Sequence, residues 1–70
     1  MRDWLIAERK KHGWTMKEMG EKLNISESYY CAIEAGTRQK KMDIVLVAAL
    51  ANIFKMPISV IAKLEEGRAS

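Results

Sequence analysis

Cysteine and histidine are almost missing from this chain: Cys31 and His12 are the one residue of each kind in 70. A lone thiol cannot close an internal disulfide, so the chain is no disulfide-stapled secreted domain, and the count fits a reducing compartment. One cysteine and one histidine cannot supply a four-ligand zinc site, so no metal accounts for the folding of so short a chain. His12 has no serine or cysteine partner that the sequence places beside it. It reads as a solvated helix end, Cys31 as a structural or surface residue, and neither enzymatic activity nor a cofactor is expected. Long apolar runs are absent as well. The longest, Ile44 to Ala51, falls far below the roughly 20 residues that span a bilayer. The N-terminal MRDWLIAERKK carries charge on both sides of a short apolar stretch, unlike a signal peptide. No repeat, linker or low-complexity segment appears. These absences leave one small soluble, cytoplasmic domain over residues 1–70, with a core from about 3 to 65. A chain of this size buries only about 60% of the surface its unfolded form exposes, so its stability is marginal without help.

What is present is helical patterning and a mildly basic charge. The net charge is +3 and the pI about 9.2, which favours a polyanionic partner. The distribution says more than the total, because Arg9, Lys10 and Lys11 cluster ahead of the central segment and Arg38, Lys40 and Lys41 just behind it. That central segment, TMKEMGEKLNISESYYCAIEAG, runs from Thr15 to Gly36. Thr15 and Glu18 form a T-x-x-E capping box, in which hydroxyl and carboxylate each satisfy a free backbone amide. Met16, Met19, Gly20 and Leu23 recur at helical spacing, and Asn24 tolerates the left-handed conformation that ends a helix. Ser26 is an N-cap for the next helix, whose Tyr29, Tyr30 and Ile33 make an apolar patch before Gly36 stops it. A helix, a short turn and a second helix make a helix-turn-helix.

The rest follows the same logic. Residues Arg2 to His12 read as helix 1, with Leu5 and Ile6 inward and with Trp4 and Trp14 as packing residues. Helix 2 covers about Met16 to Leu23, and helix 3 about Glu27 to Ala35. Asp43 caps helix 4, whose IVLVAALANIF is apolar on every face and therefore suited to all-round burial, which one monomer this small can hardly provide. Pro57 sits near the first turn of a last helix, where a missing amide is harmless. Ile58, Ile61, Ala62 and Leu64 are its expected inner face. The tail from Glu65 to Ser70 is polar, with Glu65 and Glu66 a solvated helix end and the last residues frayed. Five helices and no strand are the expectation.

The order T-x-x-E-x-G-x-x-L-N-I-S-x-S-Y-Y-x-x-I-E-x-G resembles the Cro/repressor-type (XRE-type) helix-turn-helix family of phage and bacterial regulators, over about Leu5 to Leu64. The resemblance implies an all-α, compact five-helix lambda-repressor-like domain with the helix-turn-helix at helices 2 and 3. It also implies double-stranded DNA as partner. A homodimer through helix 4 and the last helix is expected from the apolar Ile44–Phe54 helix, which one chain this small cannot cover, and the short apolar runs leave no membrane involved. By resemblance, Glu27, Ser28 and Ala32 fall where family members read bases. Lys17, Tyr29, Arg38, Lys40 and Lys41 fall where phosphates are gripped, since phosphate contacts position the protein and base contacts specify the site. Arg9 and Glu34 fall on the family's buried ion pair and so are not counted toward DNA.

This chain departs from the family in ways that bear on binding. Met16 replaces a glutamine that bonds phosphate, Glu27 brings negative charge toward the duplex, and helix 3 has no Arg, Lys or Gln. Two functions compete. One is a phage- or mobile-element-type regulator that reads operator DNA with helix 3. The other is a protein-interaction module, antitoxin-like or accessory, on a helix-turn-helix scaffold. The basic clusters favour DNA, while the acid-bearing helix 3 and the apolar helix 4 favour a protein partner.

Overall fold

The helix boundaries lie where backbone amides and carbonyls find side-chain or left-handed caps. Five helices run in chain order: α1 Asp3–Lys11, α2 Met16–Leu23, α3 Glu27–Ala35, α4 Ile44–Phe54 and α5 Ile58–Arg68. The computed structural model describes residues 1–67 and the backbone of Arg68; the last two residues of the tail, Ala69 and Ser70, lie outside the described residues. There is no strand among the described residues. α2 opens with the complete capping box. The Glu18 amide donates to the Thr15 hydroxyl at 3.1 Å, and the Thr15 amide donates to the Glu18 carboxylate at 2.8 Å. The Thr15 amide, with its hydroxyl second, holds the Glu18 carboxyl below its usual value. Ser26 caps α3 by accepting from the Tyr29 amide at 3.1 Å, and Asp43 caps α4 by accepting from the Leu46 amide at 2.8 Å. Asn24, Gly36 and Lys55 end α2, α3 and α4 in the left-handed region.

Packing follows from what each helix can bury. α2 and α3 pack on one another across the turn because Gly20 carries no side chain. A Cβ there would stand 3.0 Å from the Ile25 carbonyl oxygen and 3.3 Å from the Glu27 nitrogen. α1 lies against α3 and α5, and α4 bridges α2 and α5. The shared core is Leu5, Met19, Tyr30, Ile33, Val47, Leu50, Ala51, Phe54 and Ile61, with Trp4, Trp14, Met16, Leu23 and Ile25 packed around it.

Several expectations need correction. Helix 1 begins one residue later than expected, because Arg2 is the N-cap position and its side chain is wholly buried. His12 is the exposed end of α1, as expected, but it also packs. It caps α1, its ring stacks on Trp14 at 4.5 Å between centroids, and it leans on Phe54 at 5.4 Å. On α5 only Ile61 of the expected inner face is buried; Leu64 is half-buried, while Ile58 and Ala62 are exposed. Glu65 takes the inner position instead. It is half-buried and accepts from both Arg2 and Trp4, since a buried guanidinium needs an opposite charge more than the helix needs another methyl group. α4 is covered on Val47, Leu50, Ala51 and Phe54 but leaves Ile44 68% and Val45 75% exposed.

Polar groups inside the core meet their partners. Arg9 Nε donates to Glu34 Oε2 at 2.7 Å, Arg9 Nη1 to the Trp14 carbonyl at 3.0 Å, and the Tyr30 hydroxyl to Glu34 Oε2 at 2.6 Å. Arg9 and Glu34 are both buried. Removing one partner of such a pair strands the other charge, at about 3–5 kcal/mol. Glu34→Ala is therefore expected to lower the melting temperature sharply in the absence of any ligand, and unchanged melting would contradict the assignment. Burial, with the Glu34 carboxylate second, pushes the Tyr30 hydroxyl well above its ordinary value of 10.0. Above pH 10 the unfolded chain loses this proton while the folded chain keeps it, so stability falls as pH rises. Melting followed from pH 8 to 11 is expected to show that fall, and Tyr30→Phe to flatten it; an equally steep fall in the variant would contradict it.

Candidate nucleic-acid interface

α3 presents one face to the core and the other to solvent because Tyr30, Ile33 and Glu34 are drawn inward. That leaves Glu27, Ser28, Cys31 and Ala35 exposed and Ala32 half-buried on the outer side. A shallow open groove between the starts of α2 and α3 is lined by Met16, Ser26, Glu27, Ser28 and Cys31. Ser26 and Ser28 bring their hydroxyls to 3.4 Å of one another at its rim. The residues expected to meet bases thus share one solvent-facing side of one helix, and its polar groups there are acceptors or weak donors.

Lys17 stands exposed on the first turn of α2. That turn offers little else to an anion, because Glu18 is charged there and already holds the Thr15 amide. Arg38, Lys40 and Lys41 are exposed in the segment between α3 and α4. Gln39 folds this segment back. Its Nε2 donates to the Tyr29 hydroxyl at 3.0 Å and to Asp43 Oδ2 at 3.1 Å, and its Oε1 accepts from the Asp43 amide at 3.1 Å. Its backbone sits at φ 54, a conformation that a non-glycine side chain adopts only when several contacts hold it there. The start of the loop is closed by the Thr37 and Arg38 amides, which both donate to the Ala32 carbonyl. The loop cations are therefore tied to α3 at Tyr29, next to Ser28. Tyr29 itself is half-buried, its hydroxyl already accepting from Gln39.

Sequence reasoning missed Gln39, which sits in the loop TRQKK with no periodicity to mark it. It also missed Arg2, read only as the start of helix 1, and Glu65, read as a solvated end. An isolated arginine beside an apolar helix start was the one available sign, and it is a weak one. Arg9, on α1, and Glu34, on the inner side of α3, face the core rather than solvent. No group of His, Cys, Asp and Glu among the described residues could hold a metal ion. No single helix among them is long and apolar enough to cross a membrane.

Compared with known protein families, residues 5–61 match the family model described as helix-turn-helix. Comparison with curated proteins and with solved structures gives no match.

Proposed function

This chain belongs to the Cro/repressor-type helix-turn-helix family of DNA-binding regulators, and from that premise we propose that it is a cytoplasmic, sequence-specific transcriptional regulator of phage or mobile-element type. It lays the outer face of α3 in the major groove. The observation that carries this reading is the Gln39–Tyr29 hydrogen bond, which ties a loop of three exposed cations to the helix that bears Glu27, Ser28 and Ala32. Lys17, Tyr29, Arg38, Lys40 and Lys41 grip phosphates, and Glu27, Ser28 and Ala32 face base edges.

Affinity and preference come from different residues. Arg38, Lys40, Lys41, Lys17 and one further group each release a counterion from a phosphate. Glu27 can only accept, so its natural match is the cytosine N4 amino group, while phosphates repel it. Ser28 discriminates weakly and Ala32 offers a methyl group to thymine. With no arginine to make a bidentate guanine contact, the specificity ratio belongs near the low end of the usual range, about a thousandfold.

The protein acts as a homodimer through α4 and α5. Ile44, Val45, Ile58 and Val60 leave large apolar side chains in water, and a second copy covers them while placing two α3 helices about 34–36 Å apart, one helical turn of DNA. The same apolar residues support the second reading, in which they and the acidic start of α3 receive a protein partner.

Titration against random duplex is expected to give log affinity per subunit falling with log salt at a slope of about −4 to −5. A slope near zero would contradict DNA as the partner. Glu27→Gln is expected to raise binding to random DNA and blur the preference at one base pair; if it changes neither, α3 is not in the groove and the protein-interaction reading takes over. Sedimentation is expected to show a dimer at high protein concentration, and monomer alone would overturn the interface.

A further inference from the structure

Arg2 is wholly buried, yet every donor of its guanidinium has an acceptor. Nε and Nη2 donate to the two oxygens of Glu65 on α5, at 2.8 and 3.1 Å. Nη1 donates to the carbonyls of Ile33 at 2.6 Å and Arg38 at 3.2 Å, and Nη2 also donates to the carbonyl of Gln39. The Arg2 amide donates to the Glu34 carbonyl at 2.7 Å. Trp4 Nε1 donates to Glu65 Oε1 at 2.8 Å, so the carboxylate is fixed from a second side. Three of the carbonyls that the side chain holds thus belong to the last turn of α3 and to the basic loop.

Resting on the DNA-binding reading, we propose that Arg2, braced by Glu65, is a positioning residue for DNA binding that fixes the loop backbone as a preformed phosphate clamp. Arg2 has no exposed surface and touches no phosphate itself. What it does is hold adjacent carbonyls of the loop, those of Arg38 and Gln39, so that the side chains of Arg38, Lys40 and Lys41 leave a fixed backbone. Gln39 holds the same backbone from the other side through Tyr29 and Asp43. Pinned twice, the strained φ of Gln39 persists, and little loop ordering remains to oppose binding. Arginine suits the task because its rigid fork carries five donors, whereas lysine has three on one atom. α3 has no basic residue in its own last turn, and Arg2 brings the missing positive charge to those carbonyls from outside the helix.

The test is the double variant Arg2→Met/Glu65→Met, which removes both charges and leaves neither stranded, so its melting is expected to fall less than that of either single variant. Binding to a random duplex is then measured across salt concentrations for both proteins. The slope of the folded double variant is expected to be shallower by about two to three, because the three loop cations no longer engage together. Adding alanine at Arg38, Lys40 and Lys41 in that background is expected to change little more, though the same alanines in wild type weaken binding strongly. A wild-type slope retained by the folded double variant overturns the positioning role and leaves DNA binding standing. Wild-type protein that binds no duplex overturns both. Should the double variant not fold, trypsin digestion of wild type decides: cleavage after Arg38, Lys40 and Lys41 is expected only at the rate of global unfolding. Faster cutting at those bonds would show that the loop is not held, and would overturn the proposal.

Discussion

The exposed face of α3 is aimed by what is buried at its other end. Two arginines, one at each end of α1, converge on the last turn of α3. Arg9 takes the Glu34 side chain, and Arg2 takes the backbone carbonyls of Ile33 and Glu34. Each guanidinium is neutralised by a carboxylate, Glu34 for Arg9 and Glu65 for Arg2. Burying a charge is costly unless it is paired and hydrogen-bonded, and both conditions are met here. Directional hydrogen bonds at its C-terminal turn add to the packing of its start on α2 in holding α3 where Glu27 and Ser28 face solvent.

The same pairs sort the charges. They withdraw two positive and two negative groups from the surface, so the net +3 stays with exposed side chains. Those side chains are unevenly placed. The cations beside α3 belong to the loop and to α2, while α3 itself contributes Glu27 and no cation of its own. On the proposed reading, affinity and sequence preference fall to different elements, and the loop then needs a fixed position relative to the helix for the two to act together. Gln39 and Arg2 supply it, one through a side chain and the other through backbone carbonyls.

Much of the architecture was legible because it rests on local chemistry. Thr15, Glu18, Asn24, Ser26, Gly36 and Asp43 mark helix ends by what their own side chains or φ angles can do, and the observed ends fall at those residues. The pairing of Arg9 with Glu34 was legible only through the family pattern, since nothing in their spacing brings residues 25 apart together. Arg2 and Glu65 were illegible for the same reason without the pattern's help: they are separated by 63 positions, and each looks like an ordinary charged helix end. Ile58 and Ala62 were misplaced because apolar spacing on α5 does not reveal that a carboxylate, not a methyl group, would take the inward position.

The proposed function makes α3 and the adjoining loop one DNA-facing surface. Backbone amide chemical shifts followed while a short random duplex is added to the wild-type protein test it most directly. The shifts are expected to concentrate at Lys17, at Glu27 to Ala32 and at Arg38 to Lys41, while the amides around buried Leu5 and Ile61 stay still. Shifts that spare Glu27 to Ala32 and gather on Ile44, Val45 and α5 would contradict it.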